Sequence, residues 1–136
     1  NIYLFHNICY TFYGDDNMDI FCKIINKEIP SYTIYEDEIV KVLLDVNPTN
    51  PGHSLIIPKK HIQDLYDIDK ETYMHIFNIS KNIANLLTEK LNCDGITLVQ
   101  NNGIAQEVKH FHLHVIPKYN NKPNLNIEEV YKKITQ

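Results

Sequence analysis

The chain is 136 residues long, 43% hydrophobic and 22% charged, ordinary values for one globular domain with a real core. Its 13 basic and 17 acidic residues leave a net charge of −4, which excludes a broad nucleic-acid footprint, so any phosphate-bearing ligand must be held locally. No apolar run approaches the roughly 18–20 residues of a membrane span, and Cys9, Cys22 and Cys93 offer neither a C-x-x-C pair nor a disulfide framework, which fits a reducing, cytoplasmic setting.

Residues 1–17 differ in character from the rest of the chain. They carry no Lys or Arg and lack the basic flank and cleavage site of a signal peptide, so they read as an N-terminal extension, peripheral or loose. The domain proper is expected over 18–136. Ile20, Phe21, Ile24 and Ile25 fall at helical spacing and predict a short helix that ends before Pro30. Residues 33–35 and 39–44 read as strands joined by the acidic turn Glu36-Asp37-Glu38. A proline-containing loop over 47–52 leads into a strand over 53–58. Tyr73, Ile76, Phe77, Ile83, Leu87 and Leu91 then mark the apolar stripe of a long helix over 69–90, with Asp69 as its N-cap. A strand over 95–100, a turn over 101–106, a strand over 109–116 and a helix over 127–134 complete the chain. Antiparallel strands with segregated helices define an α+β domain.

The run His110-Phe111-His112-Leu113-His114-Val115-Ile116-Pro117 carries the chemistry. As a strand closed by Pro117 it projects three imidazoles to one face and Phe111, Leu113 and Val115 to the other. Such a row suits transition-metal binding, or nucleophilic attack by one histidine while its neighbours bind and protonate oxygens. Side chains two apart on a strand stand ~6.5–7 Å from each other, so all three would fit one ion poorly. The nucleophilic reading is the better one.

The run resembles the signature of the histidine triad (HIT) superfamily, and other stretches agree in order: Ile20-Phe21-Cys22-Lys23-Ile24-Ile25, Glu28-Ile29-Pro30, Tyr35-Glu36-Asp37, Asp45, His53, Ile57-Pro58-Lys59-Lys60-His61 and Gln106-Glu107-Val108. The likeness covers about 18–119. It implies a five-stranded antiparallel sheet that pairs into a ten-stranded sheet in a homodimer. It also implies a purine-nucleotide hydrolase or transferase of the nucleotide hydrolase branch, with no cofactor or catalytic metal. His112 would attack the α-phosphorus and release AMP or GMP from phosphoramidates, acyl-adenylates or dinucleoside polyphosphates. A nucleotide-binding regulatory partner with incidental activity would use the same pocket.

The resemblance assigns the remaining roles. His114 would bond a phosphoryl oxygen or protonate the leaving group, and His110 would orient, bridging to His53 at the site edge. Asp45 would accept the ribose hydroxyls, and Ile20, Phe21, Ile24 and Leu43 would sandwich the base. Asn101 and Gln106, with the backbone N–H groups of Glu107 and Val108, would cradle the phosphate. The turn over 101–106 is about two residues shorter than the family pattern, with Ala105 where glycine is usual, so Asn101 has less reach. Some relatives hold structural zinc through two cysteines and two histidines. Here Asp19 stands for one cysteine, leaving Cys22, His61 and His110 with a carboxylate, and the expectation is a chain without metal.

Overall fold

The computed structural model describes residues 18–136, so the extension expected over 1–17 lies outside the described residues. The elements are α1 (Ile20–Ile25), β1 (Thr33–Glu36), β2 (Val40–Leu44), β3 (Ser54–Pro58), α2 (Lys70–Leu91), β4 (Gly95–Gln100), a 3-10 turn (Gly103–Ala105), β5 (Leu113–Lys118) and α3 (Ile127–Thr135). The strands form one antiparallel sheet in the order β1-β2-β3-β5-β4. This is the expected α+β, five-stranded architecture.

Side chains with a period of two sort the sheet into two faces. Val40, Val42 and Leu44 of β2, Ile56 of β3 and Leu113 and Val115 of β5 pack under the Ile76, Ile79, Ile83 and Leu87 stripe of α2, with Val130 and Ile134 of α3. Leu43, Leu55 and Ile57 point the other way, against Phe21, Ile24 and Ile25 of α1. The central strands are therefore buried on both sides. One face is core, and the other is floor for α1 and the site.

Polar side chains mark the element ends. Asp19 caps α1 by accepting the Cys22 N–H at 2.8 Å, Asp69 caps α2 through Thr72, and Asn126 and Glu129 form a capping box on α3. Asp37 closes the β1–β2 turn by accepting the N–H groups of Ile39 and Val40, both at 2.8 Å. Gly52, at φ +92°, ends the loop before β3, and a Cβ there would sit 2.5 Å from Leu91 Cδ1. That close approach pins the loop against α2 and sets where His53 enters the sheet.

The histidine strand departs from expectation. It begins at Leu113 and runs through Pro117 to Lys118. β3 pairs with β5 only at Leu113, His114 and Val115. Upstream, the main chain bonds elsewhere: the Phe111 N–H donates to Ile62 O at 2.6 Å, and the His110 carbonyl accepts from the His112 ring at 2.7 Å. Alternation survives the loss of pairing, and Phe111 remains fully buried in the core. Pro117 does not close the strand because β3 has already ended beside it. Its missing N–H costs no ladder bond there, and its carbonyl accepts from Asn50 Nδ2 at 2.8 Å.

Candidate active site

Strand register builds the site floor. Leu43 pairs with Leu55, Leu55 with His114 and His114 with Val99, so one cross-strand row runs from apolar residues to an imidazole. His53 stands at the start of β3, and His112 just before β5. His53 Nε2 lies 2.9 Å from His114 Nδ1, and the rings of His112 and His114 are 4.9 Å apart between centroids. Phe21 meets the His112 ring edge-on at 5.0 Å.

Main-chain groups assign the tautomers. The Thr49 N–H donates to His53 Nδ1 at 3.0 Å, so that nitrogen carries a lone pair and the His53 proton sits on Nε2. His53 Nε2–H then donates to His114 Nδ1, which leaves the His114 proton on Nε2, available to a ligand. On His112, Nδ1–H donates to the His110 carbonyl at 2.7 Å, so the Nε2 lone pair is free. One chain thus ends in a donor and the other in a nucleophilic nitrogen.

Proton affinities agree with that assignment. Burial lowers the His112 imidazole below its ordinary value, against the opposing pull of the His110 carbonyl. Burial, with His112 and His53 as neighbours, takes His114 down to about 4. Burial also lowers His53, outweighing the nearby Asp45 carboxylate. All three rings are neutral at neutral pH.

Two recesses meet at these rings. An apolar cleft of about 310 Å³ is lined by Ile20, Phe21, Ile24, Leu43, Val108 and His112, among others. A polar compartment of about 220 Å³ is lined by Asp45, Asn47, His53, Asn101, Ala105, Glu107, His112 and His114. Asp45, Asn47, Glu107, His112 and His114 belong to both. Asp45 serves as a turn residue, with Oδ1 accepting the Asn47 N–H at 2.9 Å, while Oδ2 faces His53 Nε2 at 3.5 Å. Asn101 reaches the polar compartment despite the short turn. Gln106 does not line either recess; its amide donates to Gln63 O at 2.6 Å, and its buried Oε1 has no partner among the described residues.

His110 does not bridge to His53 as the resemblance implies, since the imidazole partner of His53 is His114. His110 turns into a second cluster, fully buried, with Nε2 2.8 Å from Pro58 O and Nδ1 3.1 Å from Asp19 Oδ2. His61 Nδ1 lies 3.0 Å from the same carboxylate oxygen, and Cys22 Sγ is 3.5 Å from His61 and 3.6 Å from His110. Burial works to raise the Asp19 carboxyl, but bonds from His110 and His61 outweigh it and hold it well below the usual carboxylate range. Ligand atoms of Asp19, Cys22, His61 and His110 all lie within 4.8 Å of one another. His110 Nε2–H donates to a carbonyl, which leaves Nδ1 turned toward the Asp19 oxygen, with a place for a proton or a cation between the two. One carboxylate, one thiol and two imidazoles suit zinc. The aspartate therefore preserves a ligand geometry that the departure from a cysteine pair had argued against.

Some contributors left no trace in the sequence pattern. Thr49 acts through its main-chain N–H, which every residue but proline offers. Asn47 lines both recesses from a proline-flanked loop that reads only as a turn.

Fold and site together define an α+β protein with a pair of facing imidazole chains at the mouth of an apolar cleft. The chain belongs to the HIT domain family, whose family model matches residues 26–121. It is 43% identical over 129 residues to an uncharacterized HIT-like protein of Methanocaldococcus jannaschii, covering 86% of this chain and 98% of that one. It is 44% identical over 108 residues to an adenosine 5′-monophosphoramidase of Saccharomyces cerevisiae, covering 78% and 66% respectively. A Zn-bound histidine triad family protein from Mycobacterium smegmatis superposes with a TM-score of 0.79 at 35% identity, covering 85% of this chain and 89% of that one. Among the described residues no helix is long and apolar enough to cross a membrane.

Proposed function

We propose that this protein is a purine-nucleotide hydrolase or transferase that forms a covalent intermediate on His112. The observation that carries the reading is the tautomer pattern: a free lone pair on His112 Nε2 beside a proton on His114 Nε2. A nucleotide would place its base in the apolar cleft between Ile20, Phe21, Ile24 and Leu43, its ribose against Asp45, and its α-phosphate in the polar compartment. Asn101 and the N–H groups of Glu107 and Val108 would receive the phosphoryl oxygens, while Gln106 supports the turn through Gln63. The His112 Nε2 lone pair attacks phosphorus, forming an N–P bond as the bond to the leaving group breaks. His114 Nε2–H donates a hydrogen bond to the departing atom, which takes its proton from solvent. The positive charge that develops on His112 is met by the His110 carbonyl at Nδ1. Water then attacks phosphorus as the N–P bond breaks, the bonding pair returns to Nε2, and the proton that water loses passes to solvent.

Phosphoramidates, acyl-adenylates and dinucleoside polyphosphates all present a suitable leaving group, and the yeast relative's monophosphoramidase activity favours the first. Asp19, Cys22, His61 and His110 would hold a structural zinc ion that stiffens the segment before β5, and no step of the reaction passes through it. The exposed edge of β4, with Leu98 outward, suits pairing with a second copy of the chain in a cytoplasmic homodimer. Release of AMP from an adenosine phosphoramidate in the presence of EDTA tests the reading. Turnover by the wild type that His112→Ala loses, with AMP binding retained, is the expected result. AMP binding without turnover in the wild type would favour a regulatory nucleotide-binding role instead.

A further inference from the structure

Beyond the apolar cleft, on the side away from the histidines, lies a recess of about 290 Å³ lined by Ile24, Lys27, Ile29, Pro30, Ser31, Thr33 and Lys41. It shares Ile24, Ile29, Pro30 and Ser31 with the cleft, and none of its lining residues with the polar compartment. Lys41 is only 5% exposed, unusual for a lysine. Among the described residues its ammonium makes one long hydrogen bond, 3.5 Å to Ile24 O, and two of its N–H groups have no partner there. The charges around it do not balance: Lys27 and Lys59 add to it, Glu36 alone opposes, and Lys59 already holds Glu36 at 2.8 Å. Burial pushes the Lys41 ammonium below its ordinary value, partly offset by Glu36. A buried donor with spare hydrogens beside a ligand cleft calls for an acceptor.

Strand geometry says which part of a ligand arrives there. Lys41, Leu43 and Asp45 succeed one another along the α1 face of β2, two residues apart, so the run from Lys41 to Asp45 spans about 13 Å. With the ribose at Asp45 and the base over Leu43, the edge of the base farthest from the sugar faces Lys41. On the proposed nucleotide-hydrolase reading, we infer that Lys41, with the Ser31 and Thr33 hydroxyls, forms a base-reading subsite selective for 6-oxopurine nucleotides. Guanine and hypoxanthine present O6 and N7 acceptors to an ammonium, whereas adenine turns its N6 amino donor toward it. Ser31 Oγ and Thr33 Oγ1, hydrogen-bonded at 2.8 Å, supply acceptors for the guanine N1–H and N2 amino groups.

Affinities of GMP, IMP and AMP for the wild-type protein and for Lys41→Met test this. GMP and IMP are expected to bind roughly tenfold or more tightly than AMP to the wild type. Lys41→Met should lose that preference while keeping AMP affinity. Replacing a buried cation by an apolar side chain of similar length is usually tolerated, so the variant is expected to fold. Equal affinity for the three nucleotides in the wild type overturns the subsite without needing any variant, as does a preference that survives Lys41→Met. If none of the three binds, the nucleotide reading itself fails with it.

Discussion

Two histidine clusters are built from one short run of sequence, and they have opposite characters. His112 bonds a main-chain carbonyl and His114 the imidazole of His53, itself held by a main-chain amide; these rings stay neutral and open onto two recesses. His110, two residues earlier, is fully buried against a carboxylate, a thiol and a second imidazole. On the proposed mechanism the same side chain is reactive in one place and structural in the other. What decides is the set of partners: neutral dipoles leave a lone pair free, while a carboxylate, a cysteine sulfur and a second imidazole gather ligand atoms that a cation can satisfy.

The contrast breaks most sharply at His112. His112→Ala is expected to reduce turnover by about 10⁴-fold or more, measured as nucleotide release, because among the described residues no other ring offers a free lone pair to the cleft. His110→Ala should instead lower stability, seen as a drop in melting temperature, with a smaller loss of turnover. Equal kinetic effects at the two positions would erase the distinction drawn between them.

Proton uptake sharpens it further. His112, His114 and His53 bind protons less readily folded than unfolded. As pH falls from about 6.5 toward 4, the unfolded chain takes up the excess protons and the folded state loses stability. The acid limb of kcat/KM should lie below the pH at which an ordinary histidine titrates. A limb centred at about 6.5 or above would contradict the buried, neutral rings.

Zinc is expected to act through the Asp19, Cys22, His61 and His110 cluster. Adding it to metal-free protein is expected to raise the melting temperature, and His61→Ala should remove that response, while turnover in EDTA persists in both. Activity that requires zinc would move the second cluster into the chemistry. A smaller, purely steric effect is expected at Gly52, where alanine brings a Cβ onto Leu91 and Pro117 at a positive φ. A loss of roughly 2–4 kcal/mol in unfolding free energy, measured by denaturant titration, is expected.

Much of the fold was legible because the signals were redundant. The stripe of α2, its Asp69 cap and the alternation through Val115 agree with one another, and the structure places most elements within a residue or two of expectation. The start of β5 was not legible, since it depends on how far β3 extends and on the bond from Phe111 to Ile62, neither of which is local. His110 misled for the same reason: alternation puts it on the histidine face, but only the fold brings Asp19, 91 positions away, to its ring. Gln106 likewise keeps its place in the chain while its amide is taken by Gln63, a partner without a sequence signal.

The bond from Thr49 to His53 has a consequence for how the site can vary. The proton pattern of His53 and His114 is set at its far end by a peptide N–H, a group that every amino acid but one carries into the chain. Position 49 is therefore free to drift in chemistry, size and charge, so long as the loop holds its course. Proline alone would silence it, without touching any atom of the bound molecule.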